Sequence, residues 1–162
     1  MGSGQWIESR QGRHTLSHTY TSNLVHCVFS TKARRDLIPA GLQDKLWAYL
    51  IGIARNLKIA TLAVGGTANH LHLLIGLPAK MTLADAVGKL KANSSRWMGE
   101  HGIEFAWQKG YGAFSVSPSM VGTVQSYVRN QAEHHKKRNF EEEFLALLRK
   151  SGVAFDAERV FD

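Results

Sequence analysis

The chain has 162 residues, 44% apolar and 20% charged, which is enough to bury one core and too few for two ordinary domains. Its 20 Lys and Arg against 13 Asp and Glu give a net charge of +7, which favours a polyanionic partner such as nucleic acid, although a basic surface that only aids solubility fits charge alone equally well. A single cysteine, Cys27, excludes an intrachain disulfide, thiol-rich zinc modules and the paired-cysteine zinc arm of nucleobase deaminases, while the lack of any apolar run near 20 residues predicts a cytoplasmic protein with no membrane partner.

The first 20 residues, glycine-rich and polar from Met1 to about Leu16, read as a disordered or vector-derived leader, leaving 21–162 as the folded domain. Leu24 to Thr31 is a strand candidate rich in β-branched and aromatic residues, with Cys27 a small core residue in it. Pro39-Ala40-Gly41 punctuates before an amphipathic helix from about Leu42 to Leu57, whose stripe is Leu42, Leu46, Leu50 and Ile53. Ile59 to Val64 and His70 to Leu77 read as two strands of a hairpin around Gly65 to Asn69. Thr82 caps a helix to about Met98 with Leu83, Val87 and Leu90 on one side and Lys89, Lys91 and Arg96 elsewhere.

Farther along, Phe105 to Gln108 and Gly112 to Val116 flank Lys109-Gly110-Tyr111 and predict a second hairpin. Ser117-Pro118 then opens a helix through about His134, and an amphipathic helix from Glu141 to Lys150 ends at Gly152. The order β-α-β-β-α-β-β-α-α predicts an α+β, ferredoxin-like antiparallel sheet with helices packed on it.

Two distant fragments carry the chemistry. On a strand, His70 and His72 point the same way about 6.6 Å apart, near enough to share one divalent ion. On a helix, Tyr127 and Gln131 occupy one face a turn apart, so a phenolic oxygen lies beside an amide carbonyl that completes a metal shell. Alone, each has a dull counterpart: a hydrogen-bonded buried histidine, or a tyrosine packing at a rim. Together they suggest attack by Tyr127 on a phosphodiester, assisted by a metal at His70, His72 and Gln131. Mg²⁺ or Mn²⁺ is the expected ion.

With these pieces in place, the chain resembles the single-tyrosine HUH transposases of the IS200/IS605 kind. The resemblance rests on His26 with Val28 to Lys32, on Asn69-His70-Leu71-His72-Leu73-Leu74, on Trp107 to Ser115, and on Tyr127-Val128-Arg129-Asn130-Gln131 with His134-His135, all in family order. It runs from roughly Thr21 to Phe155. The resemblance implies a homodimer with active sites shared between protomers, a divalent metal, recognition of a DNA hairpin at transposon ends, and cutting of single-stranded DNA through a 5′-phosphotyrosine. A tyrosine helix joined to the sheet by a short turn also has limited reach towards the histidines of its own chain, in keeping with a shared site. Lys32, Arg34, Arg35, Lys89, Lys91, Arg96 and Arg129 are the candidate DNA contacts. Trp107 and Tyr111 suit a core or dimer interface better than base stacking. His26 reads as core, and His134-His135, near Lys136-Lys137-Arg138, as facing phosphate or water rather than metal.

Asn69 departs from the acidic or small polar residue common before the histidine pair, and any orienting role falls to its amide. Other readings are a host-resident, REP-associated relative cutting dispersed palindromes, in which an Asn-Pro pair usually follows where this chain has Asn130-Gln131; a relaxase or replication-type nickase, usually carrying further domains; and a hairpin-binding protein without catalysis.

Overall fold

The computed structural model describes residues 18–162, so residues 1–17 of the expected leader, His14 among them, lie outside it. Strands β1 (Leu24–Ser30), β2 (Ala60–Gly66), β3 (His70–Gly76) and β4 (Gly112–Ser115) form one antiparallel sheet in the order β2-β3-β1-β4. Helix α1 (Ala40–Asn56) connects β1 to β2 and α2 (Leu83–Glu100) connects β3 to β4, which makes the expected α+β, ferredoxin-like unit. Three further helices follow: α3 (Val121–Arg129), the single turn α4 (Gln131–His134) and α5 (Phe140–Lys150).

Helices cover both faces of the sheet, which explains why β1 is apolar on both sides and buried throughout. One face presents Val25, Cys27, Phe29, Leu71, Leu73 and Ile75 to Leu46, Leu50 and Ile53 of α1 and Val87, Leu90 and Met98 of α2. Each such side chain fully buried contributes roughly 1.5–3 kcal/mol, so this layer is the main source of stability. The opposite face carries Leu24, His26 and Val28 of β1 and His70, His72 and Leu74 of β3, and α3 and α5 lie over it. Val128 of α3 packs on Leu24, Leu62 and Leu74, while Phe140 and Leu148 of α5 pack on Val28 and Phe114.

Two glycines set how closely these helices approach. A β-carbon on Gly65 of β2 would overlap the Val128 carbonyl oxygen, and one on Gly112 of β4 would sit 2.6 Å from the Phe144 ring. Local capping is as read for α2, where Thr82 Oγ1 accepts from the Asp85 N–H at 3.1 Å. The last helix is capped by Asn139, whose Oδ1 accepts from the Glu142 N–H at 2.9 Å.

Two expected elements differ. The segment expected to form a hairpin around Lys109-Gly110-Tyr111 instead runs one way along β1: β4 pairs Gly112 with Val28, and Trp107 bridges Thr31. The excess residues bulge outward at Gly110, where φ is +81°, a conformation glycine takes without strain. The helix expected from Ser117 to His134 is broken at Asn130, whose ψ of 30° separates α3 from α4. Ser117 caps no backbone group with its side chain, although Pro118 does open the turn before α3. No helix among the described residues is long and apolar enough to cross a membrane.

Candidate active site

Strand parity begins the assembly. His70 and His72 leave the same face of β3 with ring centroids 5.2 Å apart, and both are fully buried. The β1–β3 register sets Val28 opposite His72 and Leu74 opposite His26, so His26 stands diagonally beside His72 on the same face. Its Nε2 lies 2.8 Å from His72 Nδ1, leaving one proton between the two rings. Read as core from the sequence, His26 is indeed buried, but it also holds a site histidine.

Helix α3 lowers Tyr127 onto these rings. The Tyr127 ring centroid is 5.7 Å from that of His72 and 6.0 Å from that of His26. Despite the break at Asn130, Gln131 stays one turn beyond: its Nε2 donates to the Tyr127 carbonyl at 3.1 Å, which aims Oε1 at His70 Nε2, also 3.1 Å away. Tyr127, Gln131, His70 and His72 therefore meet within one chain. Within this one chain α3 lies directly on β2, at an approach that the missing side chain of Gly65 permits.

Glu143 of α5, absent from the sequence reading, completes the cluster. Its Oε1 is 2.9 Å from His72 Nε2, 3.6 Å from His70 Nε2 and 3.1 Å from His135 Nε2, and its Oε2 accepts the Tyr127 hydroxyl. His135, expected to face phosphate or water, instead lies against Gln131 Oε1 and Glu143 Oε1, both at 3.1 Å. His134 packs its ring on Tyr127 at 4.7 Å. A signal for Glu143 existed: it falls on the stripe of Phe140, Phe144, Leu147 and Leu148, where a carboxylate is out of place.

Burial keeps the imidazoles neutral. Desolvation, with the nearby His72 ring second, lowers His26 and His70 to about 3, and desolvation likewise lowers His72. Desolvation acts to raise Glu143, but hydrogen bonds from His135, His72 and Tyr127 outweigh it and hold the carboxyl well below its usual range. Tyr127 is raised, first by burial and then by its bond to the Glu143 carboxylate. On the far face of the sheet Cys27 is pushed up to about 12 by burial, the mark of an inert core thiol.

The donor set, two imidazoles and a carboxylate, suits a divalent cation. The ligand atoms of His70, His72 and Glu143 all lie within 4.8 Å of one another, with the Gln131 amide oxygen alongside. Both ring nitrogens of His70 have close partners. Its Nδ1 faces Asn69 Oδ1 at 2.8 Å, and Asn69 is turned that way by its Nδ2, which donates to the Arg34 carbonyl at 3.3 Å. An amide oxygen only accepts, and Nε2 faces one as well, Gln131 Oε1 at 3.1 Å, while the Thr67 hydroxyl lies 2.9 Å from Nδ1; the tautomer with its proton on Nδ1 is the one that leaves Nε2 and Gln131 Oε1 as two lone pairs a cation would satisfy. Asn69 thus contacts His70 through its amide oxygen.

The candidate DNA contacts divide by placement. Lys32 and Arg35 are exposed in the turn after β1, next to the Asn69 loop. Arg34 is occupied, pairing with Glu141 at 2.6 Å and donating to the Phe161 carbonyl at 2.9 Å. Lys91 is occupied too: half-buried and lowered to about 8 by desolvation, it donates to the Gln108 and Gly110 carbonyls and lies over the Phe29 ring. Lys89 and Arg96 are exposed on α2, across the sheet from Tyr127, and the exposed Arg129 donates to the Leu62 carbonyl at 3.3 Å. Trp107 packs between Phe29 and Phe105 and donates to Ser94 Oγ, a core role as expected.

Comparison with known proteins adds an independent line. A family profile described as "Transposase IS200 like" matches residues 19–131. The transposases for insertion sequence element IS200 of Salmonella typhimurium and Salmonella typhi are each 26% identical over 130 residues, covering 75% of this chain and 85% of theirs. Among solved structures, one of a transposase proposed in Deinococcus radiodurans R1 superposes with a TM-score of 0.57 at 24% identity, over 71% of this chain and 95% of that one. A REP-associated tyrosine transposase bound to a REP hairpin superposes with a TM-score of 0.53 at 14% identity, over 69% and 68% of the two chains.

Proposed function

We infer the activity from one premise: this chain belongs to the IS200-like transposase family. Membership makes it a transposase, a DNA-cleaving enzyme. We propose that it cuts and rejoins single-stranded DNA at the ends of a mobile element, with Tyr127 as the nucleophile. The observation that carries this reading is the meeting of the Tyr127 hydroxyl, Glu143 and the neutral His70 and His72 on one buried patch. Bound Mg²⁺ or Mn²⁺ would neutralise phosphate charge.

His70, His72, Glu143 and Gln131 are the proposed ligands. Glu143 adds a negative charge that the expected neutral set of His70, His72 and Gln131 lacks, favouring retention of a hard cation. His26 and Asn69 hold the two imidazoles at their remote nitrogens, and the second oxygen of Glu143 aims the phenol. Because Tyr127 rests protonated, attack requires loss of its proton. A bond forms from Tyr127 Oη to phosphorus as the bond to the 3′ oxygen breaks, with net transfer of the phenolic proton to that oxygen. The products are a 5′-phosphotyrosine and a free 3′-OH, and return attack by another 3′-OH rejoins DNA without ATP.

Each site is proposed to work within one chain, so that a homodimer joins two complete sites rather than two halves. Recognition of a hairpin is proposed from the relative bound to one, with Lys32, Arg35, Lys89, Arg96 and Arg129 as the exposed cations. Action at element ends is preferred to cutting of dispersed palindromes because residue 131 is Gln, whose amide oxygen enters the site.

End-labelled single strands copied from the DNA flanking the gene test the reading. Cutting should require Mg²⁺ or Mn²⁺ and spare duplex DNA. His70→Ala and His72→Ala should each reduce it by about two orders of magnitude or more while binding persists. Undiminished cutting in excess EDTA would remove the metal from the mechanism.

A further inference from the structure

Between β4, α3 and α5 lies a cavity of about 620 Å³ that opens onto the site, with Tyr127, Glu143 and His26 in its wall. Its volume falls within the roughly 300–1,000 Å³ of cavities that enclose a small organic ligand. We propose that it is the subsite for the nucleoside on the 3′ side of the scissile phosphate, the one left joined to Tyr127 after cutting. The proposal rests on the phosphotyrosine reading and names where that part of the substrate sits.

Displacement at phosphorus sends the leaving oxygen out opposite the attacking one. The strand that departs with its 3′-OH therefore leads away from the phenolic oxygen. The nucleoside that stays attached remains beside the Tyr127 ring, and the cavity sharing that ring as a wall is the space next to it.

The lining has the chemistry of a base rather than of an ion or a peptide. Phe114, Met120, Val124 and Leu147 give it apolar and aromatic walls, and Met120 is 44% exposed. Arg138 and Lys150 are cations in the lining, placed to meet the next phosphate of the strand. Glu143, its one carboxylate, is already held by His72, His135 and Tyr127. The wall hydroxyls of Ser115, Ser117, Thr123 and Ser151 are rotors that can donate or accept, so the subsite registers that a base is present more than which base it is.

Wild-type protein is given single strands from its gene flanks that carry an abasic residue either just 3′ or just 5′ of the mapped cut. The 3′ lesion should lower kcat/KM by about tenfold or more, the order of one lost base contact, and the 5′ lesion by less than about threefold. Ala146→Trp, which fills the cavity from α5, should lose about tenfold on the intact strand yet match wild type on the 3′ abasic strand. That rescue is one that general misfolding does not produce. Equal tolerance of the two lesions by wild type overturns the subsite even if the Trp variant does not fold, and leaves the cutting reaction standing. Failure of wild type to cut any single strand overturns both.

Discussion

Three buried, neutral histidines, His26, His70 and His72, tie the stability of this protein to pH. In the unfolded chain a histidine takes its proton near 6.5, whereas in the fold His26 and His70 take theirs only near 3. Between those values the unfolded state holds protons that the folded state lacks, so stability is full above about pH 7 and falls as pH drops below 6.5. His72 shifts in the same direction, and the lowered Glu143 adds a loss of the same sign below its ordinary 4.5. Each histidine contributes about 1.4 kcal/mol per pH unit in that window. Urea unfolding at pH 7.5 and 5.5 in chelated buffer should show a loss of several kcal/mol, and His26→Asn should flatten the slope by about one proton. A flat profile would mean that the rings are not buried neutral. The His pair and Tyr127 with Gln131 were legible from spacing, because strand and helix periods fix which side chains share a face. His26 was not, since its place depends on which residue of β3 lies opposite β1, and register is a tertiary fact.

At the level of elements, the closeness of α3 to β2 decides whether the tyrosine meets the histidines. Gly65→Ala places a methyl group on the Val128 carbonyl, so α3 must move outward and take Tyr127 with it. A displacement near 1 Å commonly costs about a hundredfold in rate, so cutting should fall by that order. Gly52→Ala in α1, where nothing stands within 4 Å, should leave cutting unchanged and raise stability slightly. Rates and urea midpoints of the two variants check this. Helices α1, α2 and α5 were readable because their apolar stripes are local, as is the Thr82 cap of α2. The course of residues 107–115 was not: a glycine between two β-rich runs marks a hairpin turn and a bulge alike, and pairing of both Trp107 and Gly112 with β1 decides for the bulge. Nor did the sequence separate Glu143 from Glu141 and Glu142 until its side of α5 was compared with the apolar stripe.

For the molecule as a whole, the helices on one face of the sheet supply a stable platform and those on the other bring Tyr127, Gln131 and Glu143 onto the histidines of the sheet. The proposal that each site works within one chain is one that mixing can test. Tyr127→Phe refolded with the His70→Ala, His72→Ala double variant should stay inactive even where mixed dimers form, whereas a site shared between protomers would regain cutting from two dead proteins. Peptide mapping of the protein–DNA adduct tests most directly whether Tyr127 itself attacks the phosphodiester. Wild-type protein incubated with Mg²⁺ or Mn²⁺ and a single strand from its gene flanks should yield one modified peptide, carrying a 5′-phosphorylated nucleotide on Tyr127, and Tyr127→Phe should yield none. A nucleotide mapped to Tyr20, Tyr49 or Tyr111, or cutting by the Phe variant at the wild-type rate, would contradict the account.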